Sequence, residues 1–146
     1  MEEGLIAPCG MNCAICSHYL SQAHNLKDAG LNIPYCTGCL PRDKRCAFIM
    51  KTCKLLRERA IDYCWQCADF PCARLERLDQ RYRQNFHMSM IENLRCMREN
   101  GLEKFLCRQK EEWACPKCGG VICCHNGLCF SCDIEKLKKK RLKNRW

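Results

Sequence analysis

"CPKCGGVICCHNGLCFSC", residues 115–132, sets two C-x-x-C pairs ten residues apart, with a Gly-Gly turn behind the first. Two residues between cysteines let one tight turn aim both sulfurs at a single ion, and Gly119-Gly120 lets the backbone curl round without a side-chain clash. The ordering is that of a small zinc ribbon. Cys115, Cys118, Cys129 and Cys132 are therefore the expected ligands, and residues 114–133 the expected zinc-ribbon-like module. Random placement of 18 cysteines would give about two C-x-x-C pairs, whereas the chain has five. One pair proves little; two in series prove more. Between the pairs stand Cys123, Cys124 and His125. Adjacent cysteines do not both face one small ion without strain, so at least one is spare, and His125 beside Asn126-Gly127 reads as a turn histidine rather than a ligand.

A second cysteine-rich stretch holds Cys9, Cys13, Cys16, Cys36, Cys39, Cys46, Cys53, Cys64, Cys67 and Cys72. All ten are expected metal ligands, enough for two four-ligand sites with two left over. One partition joins Cys13 and Cys16 to Cys36 and Cys39, and Cys64, Cys67 and Cys72 to Cys46 or Cys53, which leaves Cys9 without a place. The other gathers Cys9, Cys13 and Cys16, spaced C-x-x-x-C-x-x-C, on one centre with a distant fourth thiolate, as in an iron–sulfur site. Spacing leaves both partitions open.

The composition explains why sulfur is needed. Of 146 residues, 47% are hydrophobic when cysteine is included. Without cysteine, roughly 35% remain, below the usual share for an ordinary globular core. A small chain with a thin core needs staples, either disulfides or metals. The opening MEEGLIAPCG is acidic and too poor in apolar residues for a secretory signal, and no stretch is long and apolar enough for a membrane span. The expected compartment is the cytoplasm, where paired thiols persist mainly on metal. Two to four zinc ions are expected, with an iron–sulfur cluster as the alternative. Each four-thiolate site on a divalent ion carries a charge of about −2, so three sites would lower the formal +9 to about +3. Global basicity is thus a weak argument for nucleic acid.

Cysteine density divides the chain into a cysteine-rich metal-binding domain (residues 1–80), a helical segment (81–113), the ribbon-like module (114–133) and a basic tail (134–146). Ser89 with Glu92 has the form of a capping box, and Ile91, Leu94 and Met97 recur at helical spacing until Gly101, so a helix is expected over 90–100. Leu102, Phe105, Leu106 and Trp113 make a second amphipathic face, and Leu75, Leu78 and Tyr82 an earlier one. Residues 54–61 suggest a further helix, and only Val121 to Cys123 reads as β-like. Cys96 and Cys107 stand alone on helices and read as small buried hydrophobes. The fold class is a small metal-stapled protein, mainly α with short β knuckles.

The series "CGMNCAIC", "YCTGC", "CAFIMKTC" and "YCWQCADFPCARL" resembles the uncharacterised cysteine-rich family known as domain of unknown function 3795, regarded as zinc-binding. The resemblance covers roughly residues 9–78, and its most distinctive piece is Cys64 and Cys67 followed by Phe70-Pro71-Cys72. "MSMIENL" and the run from "CPKCGG" to "HNGLC" are similar to an extension carried by some members, in which Cys124 looks like an addition and hence not an essential ligand. The resemblance implies a cysteine-rich metal-binding fold and no assigned activity.

Catalysis finds little support. A radical enzyme needs a cofactor pocket that so short a chain does not wall, and no glycine-rich segment follows Cys16. Hydrolytic zinc chemistry needs an open coordination position and a base, yet His18, His24 and His87 are isolated. The Cys64-Trp65-Gln66-Cys67 motif lacks the strand-then-helix setting of a thiol oxidoreductase. The tail "KLKKKRLKNRW" does offer a binding feature. Lys138, Lys139, Lys140, Arg141, Lys143 and Arg145 could neutralise phosphates while Trp146 stacks on a base, although a solvated helix end would look the same. The sequence therefore leads to a multi-site zinc protein acting as a binding or adaptor module for nucleic acid or protein. A small iron–sulfur electron-transfer or cluster-handling protein is the alternative.

Overall fold

The computed structural model describes residues 1–42 and 48–143. Its helices are α1 (Ser17–Ala23), α2 (Phe48–Thr52), α3 (Lys54–Arg57), α4 (Ala73–Phe86), α5 (Met90–Asn100), α6 (Leu102–Glu112) and α7 (Ile134–Lys143), with short 3-10 turns at Glu3–Leu5, Cys13–Ile15 and Cys64–Gln66. The fold is mainly helical, and no sheet forms among the described residues. Among the described residues, extended pairing is confined to the isolated antiparallel bridges Ile6–Asn12, Ala114–Val121 and Ile122–Cys129.

The central helix, α5, packs against both α4 and α6. Its start is fixed from two sides. Ser89 Oγ accepts the Glu92 N–H at 3.1 Å and donates to Asp79 Oδ1 on α4 at 2.8 Å, and the same carboxylate oxygen accepts the Ile91 N–H at 3.0 Å. Asp79 thus places negative charge on the unsatisfied amide end of α5, where a helix favours it. Its end is Gly101, at φ +83°, which also opens α6.

The larger core joins the N-terminal loop to these helices: Leu5, Ile6, Met11 and Ile15 cluster with Leu75, Met90, Leu94 and Phe105. Gly10 makes this junction possible. At φ +85° it lies so close to α5 that a Cβ would stand 2.5 Å from the Met90 carbonyl oxygen and 2.8 Å from Leu94 Cγ. Asn93 Nδ2 donates to the Gly10 carbonyl at 2.9 Å, and buried Asn12 donates from Nδ2 to Gln109 Oε1 on α6 at 3.2 Å. A smaller core sets Leu20, Leu26 and Leu31 against Cys123, Phe130 and Leu137, seating the C-terminal segment on the loop after α1.

The 54–61 helix is shorter than its pattern suggests. It stops at Arg57, and Arg59 turns the chain at φ +56°. Cys107, expected inside, is exposed on α6 because Phe105 and Gln109 hold that helix's buried face.

Candidate metal centres

The cysteine quartet at the C-terminus begins where α6 ends, at Trp113. Gly119 N–H donates to the Cys115 carbonyl at 2.8 Å and Cys115 N–H to the Gly120 carbonyl at 2.6 Å, so the chain turns back on itself around the first pair. Gly120 is pressed against sulfur: a Cβ there would lie 3.2 Å from Cys118 Sγ and 3.7 Å from Cys129 Sγ. The second pair is held by a reciprocal bond. Asp133 N–H donates to the Cys129 carbonyl at 2.8 Å while Asp133 Oδ2 accepts the Cys129 N–H at 3.2 Å. Lys136, 2.8 Å from Asp133 Oδ1, holds that carboxyl below its ordinary range.

These turns bring the Sγ atoms of Cys115, Cys118, Cys129 and Cys132 within 4.8 Å of one another, and Cys118 Sγ and Cys129 Sγ to 3.7 Å. Four sulfurs on a tetrahedral zinc at the usual bond length stand ~3.8 Å apart, so the spacing suits one ion. None of the described cysteines is in a disulfide. The protonation pattern fits a cation site. The amides of Lys117 and Cys118 hold the Cys115 thiol down to about 7, whereas Cys118, accepting the Cys132 proton, pushes Cys132 up to about 12. Thiols that share protons this tightly release them when a cation takes the protons' place.

The N-terminal cysteines fall into two neighbourhoods. In one, the Cys39 N–H donates to Cys13 Sγ at 3.3 Å, and Cys39 holds the Cys13 thiol down to about 7. Burial pushes Cys16 up to about 11, with the charges of Cys13 and Cys36 adding to it. In the other, burial and then the charges of Cys9, Cys53, Cys72 and Cys67 raise the Cys64 thiol far above its ordinary value. Cys9 therefore stands beside Cys64, tied there through the Cys64 N–H to Pro8 carbonyl bond at 2.9 Å. Among the described residues, no three of these sulfurs come within 4.8 Å of one another. Cys46 lies outside the described residues.

His125 does more than shape a turn. Its Nδ1 accepts the Ser17 N–H at 3.2 Å and its Nε2 stands 3.4 Å from the Tyr82 hydroxyl, so it links the C-terminal segment to α1 and α4. A backbone amide only donates, which leaves the ring proton on Nε2, pointing at Tyr82. Burial pushes the imidazole down to about 4. Next to it, the Cys124 N–H donates to the Ile15 carbonyl at 2.9 Å, and Cys123 is fully buried in the smaller core. Neither joins the quartet.

In α7, Leu137 is buried, Lys138 pairs with Glu135 at 2.9 Å, and Lys139 is exposed. Lys140, Arg141 and Lys143 belong to the same helix, while Arg145 and Trp146 lie outside the described residues. No helix among the described residues is long and apolar enough to cross a membrane.

The sequence alone gives no structural role to Gly10, Asn12 or Asp79, and for His125 only a turn. Their importance arises from partners up to 108 positions away, and only the spelling "CGMNC" hints at the first two.

A mainly helical, cysteine-rich protein with a thiol quartet able to hold a metal ion is the class these features define. The chain belongs to the family described as Protein of unknown function (DUF3795), which it matches over residues 5–77. No curated protein and no solved structure matches it.

Proposed function

We propose that this is a zinc-stapled binding module. One zinc is held by Cys115, Cys118, Cys129 and Cys132 in a ribbon-like unit, and the N-terminal thiols around Cys13 and Cys64 supply further metal sites. The observation that carries this reading is the closure of four C-terminal sulfurs to within 4.8 Å, the dimension of a single tetrahedral ion. Closed four-thiolate sites leave no coordination position for water or substrate, so this zinc is structural and the reading is of recognition rather than catalysis. Its task is to seat α7, which begins directly after the second pair with Asp133 at its start. The helix carries Lys138, Lys139, Lys140, Arg141 and Lys143, a run suited to phosphate oxygens of a nucleic acid. Elemental analysis of the purified chain tests the zinc. Cys118→Ser and Cys132→Ser should each lower the zinc content by one ion per chain, and an unchanged content would defeat the assignment.

A further inference from the structure

Two of the chain's thiol groups differ in scale. The C-terminal sulfurs close on a point, whereas Cys53, Cys64, Cys67 and Cys72 line a cavity of about 400 Å³. No three of the described N-terminal sulfurs approach within 4.8 Å. A single zinc would need them ~3.8 Å apart with nothing between. In a four-iron cluster each thiolate takes a different iron at a different corner, so the sulfurs stand farther apart and the core fills the space they enclose.

The cavity wall suits such an occupant. Ile49, Leu55, Ile61, Phe70 and Leu75 supply apolar surface, which lowers solvent access to the sulfides. Lys54, Arg74 and Arg77 also line it and are exposed, and against the exposed carboxylate of Asp69 they leave the rim net cationic, opposite in sign to a four-thiolate cluster. Arg74 Nη1 donates to the Thr52 carbonyl at 2.6 Å, tying α4 to α2 across the opening. Cys72 is the N-cap of the 14-residue helix α4. Cys9, although near Cys64, is not part of the cavity wall.

We propose that Cys53, Cys64, Cys67 and Cys72 are the thiolate ligands of a four-iron, four-sulfide cluster seated in this cavity. The assignment is independent of the zinc at Cys115, Cys118, Cys129 and Cys132, so the same chain holds two metals of different kind. The test is oxygen-free purification of the full chain, with iron, acid-labile sulfide and zinc counted on one sample and the visible spectrum recorded. About four irons and four sulfides per chain are expected beside zinc. Cys67→Ala and, as a second variant should the first be insoluble, Cys53→Ala should lose sulfide and visible absorption while keeping the zinc of the C-terminal quartet. Cys132→Ala should do the reverse. A colourless wild-type chain with zinc and no sulfide overturns the cluster and leaves the C-terminal zinc standing; so does iron and sulfide that persist at full count in the Cys67→Ala or Cys53→Ala chain.

Discussion

The imidazole Nδ1 of His125 accepts the backbone N–H of Ser17 at 3.2 Å, across 108 positions of sequence. With Nε2 at 3.4 Å from the Tyr82 hydroxyl, one ring fastens the C-terminal segment to both α1 and α4. Replacing it by alanine opens a cavity and leaves a half-buried amide without its acceptor, so His125→Ala should cost about 2–4 kcal/mol in urea unfolding. A change below about half a kilocalorie would show that the ring is only a passenger.

The same ring predicts a pH dependence. Burial lowers its folded value to about 4, whereas in the unfolded chain it titrates near 6.5. Between these values the unfolded chain binds the proton and the folded one does not. Stability from this group is thus complete above about pH 6.5, falls as pH drops, and levels off below about 4, a total of roughly 3 kcal/mol. Urea midpoints at steps from pH 7 to 5 should fall more steeply for the wild type than for His125→Phe. Parallel slopes would contradict this.

Gly10 should tolerate no side chain. Its φ of +85° disfavours any Cβ, and the added atom would meet the Met90 carbonyl oxygen at 2.5 Å. Gly10→Ala is expected to destabilise by about 2–4 kcal/mol, more than the ordinary conformational penalty alone, because the loop must also move off α5. Thermal unfolding reads this directly. A midpoint within a degree or two of wild type would mean that the loop does not dock as described.

Asp79 caps a neighbouring helix rather than its own. Asp79→Ala removes the acceptor for Ser89 Oγ–H and Ile91 N–H and should cost about 1–2 kcal/mol in urea unfolding. Asp79→Asn keeps one oxygen and should recover part of that stability.

How much of this is legible in the sequence varies with the distance over which each feature is decided. Helix α5 is readable to its ends, because Ser89, Glu92, Gly101 and the Ile91–Leu94–Met97 stripe all act within a few residues. The closeness of the C-terminal sulfurs is readable for the same reason: each pair is a local turn, and only ten residues separate the pairs. The N-terminal groups are readable only as alternatives. Cys53 meets Cys64, Cys67 and Cys72 in one cavity because α2, α3 and α4 fold round it, whereas spacing offers Cys46 and Cys53 equally as their fourth partner. Cys9 beside Cys64 and His125 beside Ser17 are likewise products of docking. Cys107 defeats a sequence reading because a lone cysteine on a helix does not announce its face; Phe105 and Gln109 take the inner one.

If α7 meets nucleic acid, it does so through phosphate. Lys139→Glu combined with Arg141→Glu should weaken binding of a random-sequence oligonucleotide and flatten its salt dependence by roughly one unit of slope for each phosphate no longer neutralised. An unaltered slope would remove α7 from the interface.

The most direct test of the whole account is to withdraw metal from the purified chain with a strong zinc chelator while following helical circular dichroism and released zinc together. Because ion binding in such modules is folding energy, zinc release and unfolding should proceed in step, with Cys118→Ser already weakened before chelator is added. A metal-free chain that kept its full helical signal and its wild-type melting midpoint would contradict the claim that sulfur-bound metal holds this fold together.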